Sequence, residues 1–136
     1  MNAFRRWSLR SASITAFAYY GAALLVHVLV IAHVLPYSWI NGGQSTSYAM
    51  QLNVSLISIS SLFVLGTLTY LTTPFSKVRK GVWVKIILWL SMVFWTLSLV
   101  LQLLGTPFEK VVMAPLVLIG IISTIRLALG KQKSAE

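Results

Sequence analysis

The chain has 136 residues, of which 57% are hydrophobic and only 10% are charged, and its formal net charge is +9 because eleven Lys and Arg stand against two Asp and Glu. A soluble domain carries roughly a quarter charged residues of mixed sign, so this composition excludes an ordinary water-facing surface. It also argues against nucleic-acid binding, which needs cations on one soluble face, because residues 11–76 contain no charged side chain. The chain contains no cysteine, which removes disulfides, thiol chemistry and lipidation on cysteine.

Apolar segments that are long enough to cross a membrane recur four times along the chain. A membrane helix needs about 20 apolar residues to cross about 30 Å of hydrocarbon, and the predicted spans cover about 13–35, 49–71, 82–104 and 111–129. Pro36 is expected to end the first span, because proline cannot continue the hydrogen-bond ladder of a helix. Pro115 is expected to kink the fourth span. We therefore predict one membrane domain, residues 1–136, built as an all-α four-helix transmembrane bundle.

The cations predict the orientation of that bundle. With four spans, the N-terminus, the 72–81 connection and the C-terminus share one side of the membrane, and ten of the eleven cations lie on that side. Cytoplasmic loops carry an excess of Lys and Arg, so we predict an up-down-up-down bundle with both termini cytoplasmic. The expected location is a cell membrane, taken to be a bacterial cytoplasmic membrane. The expected partner of the cations is the layer of anionic lipid headgroups, which Lys85 and Arg126 can reach from the ends of their spans; no nucleic-acid partner is expected.

Carboxylates are missing from all four predicted spans. Glu109 lies in the turn before the fourth span, and Glu136 is the last residue. A proton-coupled transporter or an intramembrane site for a hard metal ion needs such a group within the membrane. We therefore assign no catalytic residue and predict no cofactor and no metal.

A repeated segment, Thr-Pro-Phe-x-Lys-Val, follows the second and the third predicted span. Threonine is a favourable N-cap, and proline is a favourable first residue of a helix. Thr73 and Thr106 are therefore both expected to cap a helix, which begins at Pro74 in one case and at Pro107 in the other.

Polar side chains in the first two spans suggest a candidate pocket. His27 lies in the first span on one stripe with Tyr20, and Asn53 and Ser60 lie on one stripe of the second span. Other polar residues of the second span lie mostly on a different side: Gln51, Ser55, Ser58 and Thr69. In one interpretation these groups satisfy one another between closely packed helices. In the other, they line a polar pocket for a small ligand.

The uncharged loop 36–48 lies next to the same region. Asn41-Gly42 favours a turn with positive φ, and Gly43 adds a further permissive position. Trp39 is expected at headgroup depth as part of an aromatic belt, unless the loop folds over the mouth of the bundle as a lid. His33 is expected at the outer end of the first span. The candidate pocket residues are therefore Tyr20, His27, Trp39, Asn41, Asn53 and Ser60.

Three functions are compatible with these features. The leading one is a small polytopic membrane protein without a visible catalytic site, acting by helix–helix interaction as an accessory subunit or as a homo-oligomer. The second is a binder or transporter of a small neutral or apolar solute in a pocket between the first and second spans, and a cavity wholly filled by side chains would count against it. The third is an intramembrane enzyme with His27 as its base, for which no acid or metal partner is visible.

Overall fold

The computed structural model of the chain describes residues 7–77 and 81–130. These residues form an all-helical structure without strands, and its four long helices are α1 (Leu9–Ile31), α2 (Tyr48–Thr72), α3 (Val82–Leu104) and α4 (Ala114–Leu129). A π-helical turn, Glu109–Met113, leads directly into α4, and two short 3-10 turns, Tyr37–Trp39 and Asn41–Gly43, lie between α1 and α2. Each long helix, with α4 counted from Glu109, is long and apolar enough to cross a membrane, as the sequence predicts.

Three buried apolar layers hold the helices together. One lies at the end of the molecule where α1 and α3 begin and α4 ends, which we call the terminal end; its members are Ala12, Ala16, Leu88 and Leu127. The middle layer comprises Tyr19, Tyr20, Ala23, Leu62, Trp95 and Val117. The third lies at the opposite end, which also carries residues 32–47 and 105–108 and which we call the loop end; its members are Val26, Val30, Ile40 and Met113. These layers show that α1 and α3 run in the direction opposite to α4.

The bundle is closed on most sides but open between α2 and α3. Helix α1 packs along both α2 and α4, and α3 packs along α4, whereas α2 and α3 contact each other much less. Three hydrogen bonds join α1 to α2. The hydroxyls of Tyr20 and Thr69 lie 2.8 Å apart, and His27 Nδ1 and Ser55 Oγ lie 3.3 Å apart. The Tyr48 hydroxyl donates to the Ile31 carbonyl oxygen. The opening along α2 and α3 holds the candidate site.

The close contact between α1 and α4 depends on Gly120. A Cβ built on this glycine would lie 2.7 Å from Cδ1 of Tyr19, so the tyrosine ring occupies the space that any other side chain would need. Trp95 of α3 packs edge-on against the same ring, with the ring centroids 5.2 Å apart. Tyr19 is therefore the point at which three helices meet.

The sequence predicts that the first helix ends at Pro36, but α1 ends earlier, at Ile31, because of a local backbone motif. His33 has a φ of 60°, and the Val34 N–H donates to the Leu29 carbonyl oxygen at 2.9 Å. A left-handed residue followed by this backward hydrogen bond is the Schellman motif, which usually has glycine at the left-handed position. His33 consequently lies outside the helix, where its ring stacks on Tyr48 with centroids 3.8 Å apart.

The two threonines of the repeated segment have different roles. Thr73 follows the last residue of α2, and its hydroxyl donates to the Tyr70 carbonyl oxygen at 2.7 Å. The expectation of a helix that begins at Pro74 is wrong, because the next helix in the described part of the chain is α3. Thr106 does precede a helix, and its Oγ1 accepts the Glu109 N–H at 3.3 Å, as the sequence predicts for an N-cap.

The irregularity expected at Pro115 takes the form of the π-helical turn just before it. The Ala114 N–H donates to the carbonyl oxygen of Glu109, five residues back. Proline lacks an N–H, and its ring clashes with the carbonyl group four residues earlier in a regular helix. A π-bulge is one of the recognised ways in which a helix absorbs such a conflict, so the distortion lies at the start of the fourth span.

Arg126 is buried at the terminal end, with only 2% of its surface exposed. Its Nε donates to the Trp7 carbonyl oxygen at 2.6 Å, and its Nη1 donates to the Gly130 carbonyl oxygen at 3.2 Å. The guanidinium group therefore ties the beginning of the described chain to the end of α4. This differs from the expectation that Arg126 extends outward, whereas Lys85 is exposed.

Candidate binding site

The connection between α1 and α2 forms a left-handed turn at the loop end. Asn41, Gly42 and Gly43 have φ values of 58°, 64° and 70°, which confirms the predicted positive φ. Glycine adopts this conformation without a steric penalty, and asparagine is among the few other residues that adopt it readily. The turn brings the Gly42 N–H onto Glu109 of the fourth span.

The Glu109 carboxylate, 6% exposed, fastens this turn to the start of the fourth span. The Gly42 N–H donates to both carboxylate oxygens, at 3.1 and 3.0 Å, and the Thr106 N–H donates to Oε2 at 2.9 Å. Since Thr106 Oγ1 accepts the Glu109 N–H in return, the two residues form a reciprocal capping box. Hydrogen bonds to an anionic acceptor are roughly twice as strong as neutral ones, and a carboxylate is favourable at a helix N-terminus.

Gly105 leaves the space that this carboxylate occupies. A Cβ built on Gly105 would lie 2.2 Å from Oε2 of Glu109, so only glycine is compatible with the observed position of the acid. The Thr106 hydroxyl also donates to the Trp39 carbonyl oxygen, and the rings of Trp39 and Phe108 have centroids 5.4 Å apart. The two connections at the loop end are therefore closed against each other.

A chain of hydrogen bonds runs from the left-handed turn to α1. Asn41 Nδ2 donates to Ser45 Oγ at 3.3 Å, and Ser45 Oγ donates to Gln51 Oε1 at 2.5 Å. Gln51 Nε2 donates to Ser55 Oγ at 3.1 Å, and Ser55 Oγ lies 3.3 Å from His27 Nδ1. Gln51 and Ser55 are fully buried, so the chain forms a fixed polar wall.

The contact between Ser55 and His27 holds one edge of the imidazole ring against α2. Ser55 Oγ accepts from Gln51 Nε2 and lies 3.3 Å from His27 Nδ1. Because a serine hydroxyl has one proton and two acceptor lone pairs, either atom of this pair can be the donor. Within the described residues His27 Nε2 makes no hydrogen bond, so this nitrogen is the one that a bound molecule can use.

A cavity of about 490 Å³ lies beside this wall, bounded by α1, α2, α3, the loop and the start of the fourth span, and it is open between α2 and α3. Its polar lining comprises His27, Asn41, Gln44, Gln51, Ser58, Ser61, Ser98, Gln102 and Glu109, and its apolar lining includes Tyr19, Leu62, Phe94, Trp95 and Leu101. Small-molecule sites have volumes of about 300–1,000 Å³ and combine apolar walls with a few polar groups. The cavity has the size and the lining of such a site.

A polar atom among the lining residues is not satisfied by the described part of the protein. Gln102 Nε2 donates to Ser98 Oγ at 3.3 Å, whereas Gln102 Oε1 is buried without a hydrogen-bond partner. Leaving a buried polar group unmet costs about 1–3 kcal/mol, but this oxygen has almost no accessible surface, so a guest reaches it only if the Gln102 side chain turns. Glu109 is the one charged side chain that the described residues contribute to the lining, and because its oxygens already accept backbone N–H groups, the cavity suits an uncharged guest.

Of the candidate pocket residues, the structure brings two to the cavity. His27 and Asn41 both line it, at the two ends of the hydrogen-bond chain. Trp39 does not line it, because its ring packs on Phe108 at the outside of the loop end. The loop therefore contributes its backbone turn and Asn41 to the enclosure, and Trp39 holds the loop in place.

The other three candidates lie elsewhere. Tyr20 belongs to the buried middle layer and is bonded to Thr69. Asn53 and Ser60 are on the exposed face of α2, and the Ser60 hydroxyl donates to the Leu56 carbonyl oxygen at 2.9 Å. The cavity is lined instead by the other polar side of α2, which carries Gln51 and Ser58.

Seven polar residues of the lining are not among the candidate pocket residues predicted from the sequence: Gln44, Gln51, Ser58, Ser61, Ser98, Gln102 and Glu109. For Glu109 a local signal exists, since threonine followed three residues later by glutamate is the signature of a capping box. Its bond to Gly42 spans 67 residues and has no local signal. Nothing in the sequence near Gln51 or Gln102 distinguishes a cavity-facing glutamine from one at the end of a span.

No protein-family model matches the chain, and neither the curated proteins nor the solved structures give a match. The described residues contain no group of three or more His, Cys, Asp or Glu side chains that could hold a metal ion. The arrangement offers a set of hydrogen-bond donors and acceptors around a partly enclosed space.

Proposed function

We propose that the protein binds a small uncharged molecule in the cavity between α1, α2 and α3, as a binder or a transporter of that molecule. The observation that carries this proposal is the unfilled cavity of about 490 Å³, which combines apolar walls with polar side chains. Unfilled space costs packing contacts, and polar groups without partners are costly in apolar surroundings. A bundle that served only to pack its helices would close over this space.

The proposed setting is a membrane, with an up-down-up-down bundle, both termini cytoplasmic and the loop end outside. Support comes from the four apolar helices and from the ten cations assigned to one side of the membrane, which agree with the excess of Lys and Arg in cytoplasmic segments. In this setting the cavity lies in the outer half of the membrane, below the loop.

Single cysteines can test this orientation, because the natural chain contains none. Ser38 and Phe75 are exposed near opposite ends of the molecule. In intact cells, an impermeant thiol reagent should label Ser38→Cys directly and Phe75→Cys only after permeabilisation. The reverse pattern would contradict the proposed orientation.

Binding is supported over catalysis by the environment of His27. The nearest hydroxyl, that of Ser55, is fully buried and cannot meet a substrate. A general base needs a free lone pair within hydrogen-bond reach of the proton it removes. Nδ1 is engaged by Ser55, and no carboxylate among the described residues is bonded to the ring to orient it as a base.

The test uses Ser58→Cys in phosphatidylcholine nanodiscs. Ser58 lines the cavity and is half-buried, so N-ethylmaleimide, a small uncharged reagent, should modify this cysteine. Hexane-1,2-diol, an uncharged molecule with two hydroxyls and an apolar end, should slow the reaction in a saturable manner. Thr67→Cys, which is exposed on the same helix outside the cavity, should react at an unchanged rate.

Two further substitutions, made in the Ser58→Cys chain, complete the test. Ser98→Phe places a ring in the cavity and should abolish protection by the diol, whereas Thr96→Phe, on the exposed side of the same helix, should leave it intact. No slowing of Ser58→Cys at any diol concentration, or equal slowing at Thr67→Cys, would contradict the proposal.

A second candidate function, interaction with another membrane helix, is supported by the exposed face of α2. Asn53, Ser60 and Thr67 lie along this face, and all three are exposed. The Ser60 hydroxyl is satisfied within the helix, whereas the Asn53 amide makes no hydrogen bond within the described residues. In a membrane, such an amide gains about 1–2 kcal/mol from a partner on a second helix by model-peptide measurements. This supports an accessory subunit or a homo-oligomer.

Disulfide formation tests the homo-oligomeric form of this candidate. Asn53→Cys should give dimers on oxidation in the membrane, and Val93→Cys, which is exposed on α3, should not. Equal yields at the two positions, or none at either, would contradict a dimer through α2.

A further inference from the structure

The opening between α2 and α3 extends beyond the cavity as a groove toward the terminal end. This groove has a volume of about 670 Å³, and its walls are mainly the aliphatic side chains of the two helices. It shares Ile57, Ser61 and Phe94 with the cavity. The cavity and the groove therefore adjoin at these residues, and the polar side chains of the lining are concentrated in the cavity at the loop end.

The length of the groove fits one hydrocarbon chain. On α2 it is lined from Leu56 to Leu68, which is about 18 Å at 1.5 Å per residue. A lipid chain in one leaflet covers half of the hydrocarbon thickness of about 30 Å. The groove is thus long enough to hold one extended chain along the surface of the bundle.

We propose that the cavity and the groove together bind one uncharged single-chain amphiphile, with its headgroup in the cavity and its chain between α2 and α3. This inference rests on the proposed function and adds the class of the ligand. A headgroup with both hydroxyl and carbonyl groups, as in a monoacylglycerol, fits the lining. Its oxygens and hydroxyls meet the polar side chains of the lining, among them His27 and Ser98.

The lining selects against a charged headgroup. Among the described residues no cation lines the cavity, and the one acid that does, Glu109, is already bound by Gly42 and Thr106. Burying an ionised group without a partner is far more costly than burying a hydroxyl that is hydrogen-bonded. An anionic headgroup would also face the Glu109 carboxylate.

The hydrocarbon chain of the ligand adds little to the affinity, and the groove mainly determines where that chain lies. Lipid tails are as apolar as the groove, so moving a chain from the bilayer into the groove yields little free energy. The headgroup therefore determines binding, and the groove determines where the chain lies. The position of the chain is the property that distinguishes this inference from the binding of a small polar solute alone.

A photoreactive monoacylglycerol with a diazirine near the end of its chain tests this inference in nanodiscs. After irradiation, mass spectrometry should find the adducts concentrated around Leu68 and Ile87, at the terminal end of the groove. Unlabelled 1-monoolein should compete for these adducts, whereas oleate, which has the same chain and a negative charge, should not. Equal competition by both would overturn the inference for an uncharged headgroup.

A matched pair of substitutions controls for general lipid contact. Val64 lines the groove and is 59% exposed, and Val93 is 60% exposed on α3 outside it. Val64→Trp should remove most of the adducts around Leu68, and Val93→Trp should leave them unchanged. Adducts spread evenly over the exposed faces of all four helices, or adducts that are insensitive to Val64→Trp, would overturn the inference.

The outcomes separate this inference from the proposed function. If hexane-1,2-diol protects Ser58→Cys but the photoadducts are spread evenly, the cavity binds a small molecule and the amphiphile is excluded. If neither result is obtained, both proposals fail. If a second copy of the chain fills the groove, Val64→Cys should form disulfide dimers, and the photoreactive probe should give no adducts there, which also overturns the inference.

Discussion

Replacing Glu109 by glutamine is the sharpest test of how the site is enclosed. In the native chain, the carboxylate accepts the Gly42 N–H on both oxygens and the Thr106 N–H on one. Glu109→Gln keeps the size and shape of the side chain but replaces one acceptor oxygen by an NH₂ group and removes the charge. An amide oxygen in the position of Oε2 can still accept both N–H groups, but as a neutral acceptor, and the NH₂ group in the position of Oε1 faces the Gly42 N–H.

The expected loss of free energy in the closed turn follows from the number of backbone N–H groups that the carboxylate accepts. Hydrogen bonds to a charged group contribute about 1.5–3 kcal/mol each, so two donors give about 3–6 kcal/mol. Two retained neutral bonds return about 0.5–1.5 kcal/mol each, which leaves a loss of about 2–3 kcal/mol. At about 1.4 kcal/mol for each tenfold change in an equilibrium constant, opening of the 41–43 turn becomes about 30- to 140-fold more frequent.

Hydrogen–deuterium exchange measures this opening directly. In Glu109→Gln, the amides of Gly42 and Thr106 should exchange faster by this factor, while those in the middle of the four helices keep their rates, because the opening is local. Lys110→Gln is the matched control, since Lys110 is the exposed neighbour and should leave all rates unchanged. Unchanged exchange at Gly42 in a folded Glu109→Gln protein would refute the role assigned to the carboxylate.

Three glycine substitutions test the packing around the site. Gly105→Ala should reproduce the faster exchange of Glu109→Gln, because its Cβ would lie 2.2 Å from Oε2, and combining the two substitutions should add little; additive effects would contradict this. Gly120→Ala should lower the free energy of unfolding by about 1–3 kcal/mol, because its Cβ would lie 2.7 Å from the Tyr19 ring. Gly21→Ala has nothing within 4 Å of its Cβ and should be neutral or stabilising by about 0.5–1 kcal/mol. Thermal unfolding in detergent measures both, and equal shifts for Gly21→Ala and Gly120→Ala would contradict the α1–α4 contact described here.

The four helices could be predicted from the sequence because membrane-length apolar segments carry a strong signal. The ends of helices are harder to predict when the residue that terminates the helix is not one that commonly does so. The end of α1 is fixed by a left-handed His33, where a glycine would have been recognised as a C-terminal signal. The prediction of Thr106 as an N-cap is confirmed, but the same prediction is wrong at Thr73, which lies at the C-terminal end of a helix.

The inward-facing side of α2 could not be predicted from the sequence. In a soluble protein, apolar periodicity identifies the buried side of a helix. In a membrane the surroundings are as apolar as the interior, so the sequence does not distinguish which of the two polar sides of α2 faces inward. It predicts Asn53 and Ser60 in the pocket, whereas Gln51 and Ser58 line it.

The enclosure of the cavity depends on contacts between distant parts of the chain. Glu109 reaches back across 67 residues to Gly42, and the hydrogen-bond chain from Asn41 to His27 passes through the loop and two helices. Local propensities specify the left-handed turn and the capping box separately. Only the packed structure brings them together above the cavity.

The central claim is that the cavity holds a small uncharged molecule, and its most direct test is mass spectrometry of what the purified protein carries. Wild-type protein, Ser98→Phe and Thr96→Phe are purified side by side from the same membranes and transferred to nanodiscs, and the uncharged molecules retained by each are quantified per chain. The account predicts close to one retained molecule per chain for wild-type protein and Thr96→Phe, and its loss from a correctly folded Ser98→Phe. Equal contents in all three proteins would contradict it.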